Sequence, residues 1–311
     1  MSSSTKDKYP LVSVLIPAYN HSLFIKICLN SVLADGYPNL EVLIIDDGST
    51  DETYRVAANW LSLNGMRVAH YKLTKQNNQG ITKTLNSLMT NCSGDYFVLL
   101  ASDDMLLPGG IANRLAKLQS TPAALAVFGD AKCINENNVT IFNSALIDKF
   151  KANIGALLNP KTIGIELILH WSVPGPVFMG RRAIIKQIGL YNQEFSVEDR
   201  DYYLRIIASD ALVFTSFKVA SYRIHSNSST GTKKKRYAVG LELKKIELEH
   251  LSRYKGLKWC ALWLACNGSF VNIKKPMGYK TPFDLLKVIP VRILSILLRK
   301  ANSAYSLIIS K

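Results

Sequence analysis

Leu11-Val-Ser-Val-Leu-Ile16, closed by Pro17, and Glu41-Val-Leu-Ile-Ile45, closed by Asp46-Asp47-Gly48-Ser49-Thr50-Asp51, decide how this chain folds. Apolar runs this short, without polar alternation and bounded by turn residues, read as strands buried on both faces of a sheet. Between them a helical pattern runs through Leu23, Ile27, Val32 and Leu33 and stops at Asp35-Gly36-Tyr37-Pro38. Ser49 or Thr50 is placed to N-cap a further helix running toward Leu63. A third strand is expected over 68–73, a helix over 81–89, and a fourth strand over Tyr96-Phe-Val-Leu-Leu100, ending in Ala101-Ser102-Asp103-Asp104. Strand and helix in strict alternation predict an open, mostly parallel α/β sheet flanked by helices.

Beyond residue 104 the pattern loosens. A strand is expected over 125–129, an irregular segment over 131–172, and a helix led by Gly180-Arg181-Arg182 and stopped by Gly189. Ser196-Val197-Glu198-Asp199 precedes helical spacing over Tyr202–Ile207, and 213–217 and 219–224 read as extended. With 311 residues, 48% hydrophobic and 20% charged, the chain has room for a large core, and disorder and low-complexity architecture are excluded. The net charge of +15 is uneven: residues 232–311 carry 17 basic and four acidic side chains, the first 231 carry 21 and 19. A nearly neutral body over 1–231 is thus followed by a strongly basic, mainly helical region over 232–311.

Five scattered cysteines, Cys28, Cys92, Cys133, Cys260 and Cys266, show no paired metal spacing and suit a reducing compartment. The opening MSSSTKDKYP lacks the apolar core of a signal peptide, and no run of ~18 apolar residues suggests a membrane-spanning helix. A cytoplasmic location is expected.

In an open α/β sheet, ligands bind outside the carboxyl ends of the strands. Here three strand ends carry polar clusters: Ala18-Tyr19-Asn20, Asp46-Asp47 and Ser102-Asp103-Asp104. Adjacent carboxylates repel unless solvated or neutralised by a cation, and hard oxygen ligands suit Mg²⁺ or Mn²⁺ bridged to a diphosphate. An acidic pair also serves as an ordinary turn or helix cap. Two pairs at neighbouring strand ends favour the cation.

Val12-Ser-Val-Leu-Ile-Pro-Ala-Tyr-Asn20 and Glu41–Asp51 resemble the opening of the family 2 glycosyltransferases, which have the GT-A fold. The resemblance continues through Asn77-Asn-Gln-Gly80, Gly94–Asp104 with Pro108, and Val197-Glu-Asp-Arg-Asp-Tyr-Tyr-Leu-Arg205. It ends near Tyr222-Arg-Ile-His225, covering roughly residues 11 to 230. The resemblance implies an open mixed GT-A sheet and an inverting sugar transfer from a nucleotide-diphosphate donor. It places the nucleotide against Pro17, Tyr19, Asn20 and Asp47, with Ser102 and Gly80 on the same side. Asp47 either accepts the base N–H or caps a helix; Pro17 and Tyr19 either line the base or punctuate the turn; Gly80 either permits close backbone approach or begins a helix.

The family's metal motif is Asp-x-Asp, and here Ala101 stands where the first carboxylate belongs. Asp103 matches the metal-touching position, and Mg²⁺ needs only one or two protein carboxylates. His225 matches a further ligand or phosphate contact, or is a loop histidine. Asp199 matches the catalytic base that deprotonates the acceptor hydroxyl, with Glu198 orienting it or contacting the acceptor. The same acids at a helix start would also suit the dipole. Arg205 either pairs with them or faces solvent, and Arg181 and Arg182 face either phosphate or the surface. The donor is expected to be a UDP-sugar first, with dTDP or GDP sugars next, and the acceptor a glycan or lipid-linked chain in bacterial surface-polysaccharide synthesis. A sugar-phosphate nucleotidyltransferase is the enzymatic alternative, though no early Gly-rich triphosphate loop is present. A non-catalytic nucleotide-sugar binder or basic scaffold is the other.

The basic region asks for an anionic neighbour. No nucleic-acid motif is evident, and none is expected as a partner. Leu285–Lys300 alternates apolar clusters with cations as an interfacial helix kinked at Pro290 would, and Trp259–Cys266 adds apolar and aromatic surface. Peripheral attachment to the inner face of the cytoplasmic membrane is the expectation; a soluble helical appendage is the alternative.

Overall fold

The computed structural model describes residues 9–225, 233–274, 296–302 and 304, the side chains of 233–236 and 268–274 excepted. Its first elements are β1 (Val12–Ala18), α1 (Ile25–Ala34), β2 (Leu40–Asp46), α2 (Thr53–Asn64), β3 (His70–Lys75), α3 (Ile81–Asn91) and β4 (Tyr96–Leu99). There follow β5 (Met105–Leu106), α4 (Gly110–Gln119), β6 (Ala126–Ile134), β7 (Thr140–Phe142), α5 (Ile154–Leu158) and α6 (Ile163–Leu169). The last are β8 (Phe178–Arg181), α7 (Ile184–Gln187), α8 (Glu198–Ala208), β9 (Leu212–Arg223), α9 (Lys233–His250) and α10 (Gly256–Lys274).

The described residues fall into two compact units: those of 9–150, 173–191 and 213–224 form one, and those of 151–172, 192–212 and from 225 onward the other. This division does not fall at the expected boundary of 231, because 151–172 and 192–212 group with the C-terminal residues.

The first unit holds a nine-stranded sheet of order β3-β2-β1-β4-β8-β6-β9-β5, with β7 on β6. β3, β2, β1 and β4 run parallel, whereas β8 is antiparallel to β4 and β6, and β5 is antiparallel to β9. The sheet is therefore mixed and open, as the GT-A resemblance implied, with its parallel half built from the runs that read most clearly. All of β2, and all of β1 except Pro17, is buried. β3, mostly exposed, forms the edge. From β1 the chain moves outward to β2 and β3, then returns to β1's other side as β4. That reversal is a topological switch point, where an α/β sheet opens a crevice.

Pro17 does not end β1; the strand runs on through it to Ala18. The Leu15 carbonyl accepts from Leu100 N at 3.0 Å on the β4 side, and the Ala18 carbonyl from Asp47 N at 2.8 Å on the β2 side. By strand alternation Pro17 faces the β4 side, where the β1–β4 ladder has already stopped at Leu15–Leu99, so its missing N–H leaves nothing unpaired.

Other expectations shift for identifiable reasons. Gly180 and Arg181 lie in β8 rather than leading a helix; a Cβ at Gly180 would sit 2.9 Å from the Phe97 ring, so glycine is what lets β8 close against β4. The Arg181 guanidinium is consumed by the Ala124 and Leu118 carbonyls and the Tyr96 hydroxyl, a structural role. The two extended pieces over 213–224 are one strand, β9. The irregular segment contains the end of β6, β7, α5 and α6.

The second unit is helical. Arg200 of α8 donates to the Leu167 and Ile168 carbonyls at 2.9 Å, closing the C-terminal end of α6, and to Glu247 of α9 at 2.7 Å. Gly164 in α6 lies where a Cβ would meet Ile207 at 2.9 Å, so α6 and α8 cross closely. Tyr254 donates to the Leu204 carbonyl at 2.6 Å. Arg299 pairs with fully buried Glu166 at 2.6 Å. Burial raises the Glu166 pKa, but the hydrogen bonds from His170 and Arg299 outweigh it and leave the group below its ordinary value. The basic region is thus partly structural: Arg299, itself partly exposed, is the ion-pair partner of a buried carboxylate. Lys233–Arg236 begins α9, but its side chains, like residues 285–295 with Pro290, lie outside the described residues.

Candidate active site

The loops after β1 and β2 are laced together by short polar side chains. Asn20 adopts φ +53°, donates its N–H to Ser49 Oγ at 2.9 Å, and accepts from Thr50 N at 2.9 Å. His21 N donates to Thr53 Oγ1 at 2.8 Å and Ser22 N to Asp51 Oδ2 at 3.0 Å. Burial opposes charge on Asp51, yet the hydrogen bonds from Thr53 and Ser22 prevail and lower its pKa. Ser49 and Thr50 are therefore spent on Asn20, and the cap at the start of α2 comes from Asp51, which accepts from Thr53 N at 3.0 Å. Tyr19, beside this lacing, is 47% exposed.

Asp47 is buried and binds the loop that follows β3. Its Oδ1 accepts from Gln76 Nε2 at 2.7 Å and Gln79 N at 2.8 Å, its Oδ2 from Gly80 N at 2.9 Å. Asp47 thus fixes the loop that leads into α3. Gly80 takes φ +87°, a backbone state costly for other residues. Three donors occupy three of a carboxylate's roughly four acceptor positions. Asp46 is fully buried, accepts from Ser49 N at 2.9 Å through Oδ1, and leaves Oδ2 without a hydrogen-bond donor.

At the end of β4 the second doublet splits its roles. Asp104 turns inward and accepts from Arg223 N at 2.7 Å; burial, then the neighbouring Asp103, pushes its pKa well up. Arg223 secures the turn by donating to the Asp103 carbonyl at 2.6 Å while its guanidinium lies 4.7 Å over the Phe24 ring. Asp103 keeps its carboxylate toward the surface, 16% exposed. Ser102 is buried and its Oγ lies 2.8 Å from His21 Nδ1, while His21 Nε2 lies 3.8 Å from Asp103 Oδ2. His21 thus bridges the ends of β1 and β4 at the switch point. It carries no motif of its own, and its only signal in the sequence is adjacency to Tyr19-Asn20.

His225 follows Ile224, whose N–H donates to the Ile134 carbonyl at 2.9 Å, and is grouped with the second unit.

Glu198 and Asp199 open α8 in the second unit. Both are half-buried, and among the described residues no other residue donates a hydrogen bond to either carboxylate. Burial raises Asp199 to about 6. Burial, then Asp199, and to a lesser extent Glu242, push Glu198 up to about 8. At pH 7 the pair then shares about one proton and one charge between its two carboxylates. Arg205 does not join them; it pairs with Asp201 at 2.7 Å, and His250 Nε2 lies 2.8 Å from the other Asp201 oxygen.

This fold is shared with solved glycosyltransferases. A mannosyltransferase of Pyrobaculum calidifontis, solved with GDP-Man and Mn²⁺, matches with a TM-score of 0.62 at 17% identity, over 96% of this chain and 86% of that one. S. aureus TarS 1–349 in complex with UDP-GlcNAc matches at 0.62 and 19% identity, over 91% and 79%. By sequence, residues 13–189 match the family described as Glycosyl transferase family 2, and the chain belongs to it. An uncharacterized glycosyltransferase of Rickettsia typhi is 25% identical over 72% of this chain and 67% of its own length. The chondroitin synthase of Escherichia coli is 35% identical over 46% of this chain but only 20% of its own. The chain is thus a glycosyltransferase by family, not one of the nucleotidyltransferases weighed above, and spans a fifth of that synthase.

Proposed function

We propose that this glycosyltransferase moves a sugar from a nucleotide-diphosphate donor to a hydroxyl of a glycan or lipid-linked acceptor, inverting the anomeric carbon. The observation that carries this reading is Asp199: a half-buried carboxylate to which no other residue donates among the described residues, raised to about 6 and so ionised yet basic near neutral pH. A general base works best with a pKa near the working pH.

In this reading Asp199 takes the acceptor hydroxyl's proton as that oxygen bonds to the anomeric carbon, and the bond to the diphosphate oxygen breaks on the opposite face. Protonated Glu198 donates to the acceptor or holds it in line. The strand ends grip the donor. Tyr19 offers an exposed ring face beside Pro17 and Asn20, and Asp47 has one acceptor position left for a base N–H. Gly80 and Ser102 are proposed to line the nucleotide side as well. A UDP-sugar is the donor tried first, with dTDP and GDP sugars after it.

The residues fit a divalent cation. Asp103 keeps a partly exposed carboxylate, and His21, with Nδ1 2.8 Å from Ser102 Oγ, has Nε2 3.8 Å from that carboxylate. Asp103 and His225 are the proposed protein ligands, as the family resemblance implies, and His21 lies by Asp103; nitrogen in that set suits Mn²⁺ better than Mg²⁺, which favours oxygen alone. The ion, when bound, supplies positive charge to the departing diphosphate.

Attachment to the inner face of the cytoplasmic membrane is part of the proposal. Leu257, Trp259 and Trp263 are exposed on α10, downstream of Arg253 and Lys255, and indole rings favour a membrane–water boundary. No helix of the described residues is long and apolar enough to cross a membrane. Each cation near an anionic surface adds ~1 kcal/mol.

The test pairs binding with turnover. Thermal stabilisation across UDP-, dTDP- and GDP-sugars, with and without Mn²⁺, identifies the donor; transfer is then followed in wild type and Asp199→Asn. Retained donor binding with lost transfer is expected. Full activity in Asp199→Asn would remove the base assignment.

A further inference from the structure

Helix α9 opens the region that composition marks as a basic appendage, yet its Glu242, Glu247 and His250 side chains are spent on the segment around Asp199. Glu242 accepts from both the backbone N–H and the hydroxyl of Ser196, through its two carboxylate oxygens. Lys245 stands 5.2 Å over the Phe195 ring and 3.9 Å from Glu194. Glu247 takes the Arg200 guanidinium at 2.7 Å, with both side chains almost fully buried. His250 reaches Asp201 at 2.8 Å, again with both partners 4% exposed. Glu242, Ile246 and His250 recur every four residues, one face of a helix, and Glu247 lies beside them. Ile246 is fully buried.

We propose that α9 is the positioning element of the base: Glu242 clamps the chain two residues before Glu198, and Glu247 with His250 clamps it one and two residues after Asp199. The doublet between the clamps receives no such partner. A helix start would ordinarily let both carboxylates turn to water; fixing the residues on either side removes that escape and holds the pair half-buried.

The charges around Glu198 are few. Asp199 lies on its own helix and Glu242 comes from α9. The acid of α6, Glu166, is committed to Arg299 and His170, and Asp201 to Arg205 and His250. Glu242 therefore has a second effect besides clamping: its negative charge favours keeping the proton on Glu198.

This inference rests on the reading of Asp199 as the base, and its test avoids turnover. Carboxyl carbons of Glu198 and Asp199 are titrated by NMR in the full chain and in Glu242→Gln. The Glu198 midpoint should fall by about one pH unit, with the melting temperature of the sheet unit unchanged. Glu242→Asp, which restores the charge, should return the midpoint. An unmoved midpoint in Glu242→Gln overturns the proposal. If that variant does not fold, His250→Asn carries the test: hydrogen exchange at the Tyr202–Leu204 amides should quicken about tenfold while β1 and β2 amides stay protected. Equal protection in wild type and variant overturns it. Neither result bears on Asp199→Asn, whose retained transfer would sink the base assignment itself.

Discussion

Acidic doublets occur in both units, and the protein treats them differently. At the strand ends of the first unit, Asp47 and Asp104 are each anchored by backbone N–H groups, from Gln79 and Gly80 in one case and Arg223 in the other. Asp46 also accepts from Ser49 N, so both members of the first pair build loops; in the Asp103-Asp104 pair only Asp104 does, and Asp103 is partly exposed. At the helix start of the second unit, neither Glu198 nor Asp199 builds anything; Ser196, Arg200 and Asp201 do the holding. Carboxylates that donors satisfy position the fold. Burial favours the protonated form in both units, at Asp104 as at Glu198 and Asp199; only the half-buried pair, to which no other described residue donates, keeps a proton free to exchange with a reacting group, which is what acid–base chemistry requires.

That contrast breaks if the variants do not rank as follows. Asp199→Asn should lower the transfer rate by roughly 10²–10⁴-fold at unchanged donor affinity, measured by steady-state turnover and calorimetry. Asp103→Asn should weaken Mn²⁺-dependent donor binding by about 10–100-fold, read by calorimetry with and without the ion. Asp104→Ala, which strips a buried acceptor from Arg223 N, should cost about 1–3 kcal/mol in urea unfolding.

The pH dependence sharpens the contrast further. Transfer should rise as pH passes about 6, where Asp199 ionises, and fall beyond about 8, where Glu198 loses its proton. Stability follows with a definite sign. Folding raises Glu198 from 4.5 to about 8, so the folded chain holds a proton that the unfolded chain sheds. That contribution is full below pH 4.5 and is lost as pH rises through about 8. Glu198→Gln should therefore unfold with a flatter pH dependence, its advantage over wild type growing between pH 5 and pH 8 by a few degrees in melting temperature.

The parallel half of the sheet was legible because its strands are unbroken apolar runs, and the strand-end acids because they interrupt those runs abruptly. β8 was not, since Gly180-Arg181-Arg182 carries turn and charge chemistry; what makes it a strand is the Phe97 ring against Gly180, a long-range contact. His21 was missed because one histidine after a strand end has no pattern until Ser102 is brought beside it. The role of α9 was hidden by charge. Counting Lys and Arg marks residues 232–311 as a surface for anions, whereas Glu242, Glu247 and His250 matter by their spacing and by partners some fifty residues upstream. The acids of Glu198-Asp199 were found by resemblance; their protonation is set by burial, which no local pattern displays.

The protonation of one carboxyl pair is what the proposed chemistry depends on most directly. Titrating the carboxyl carbons of Glu198 and Asp199 in the intact protein should give midpoints near 8 and near 6. Midpoints for both at their ordinary values of 4.5 and 3.8 would mean two solvated acids at a helix start, and would contradict it.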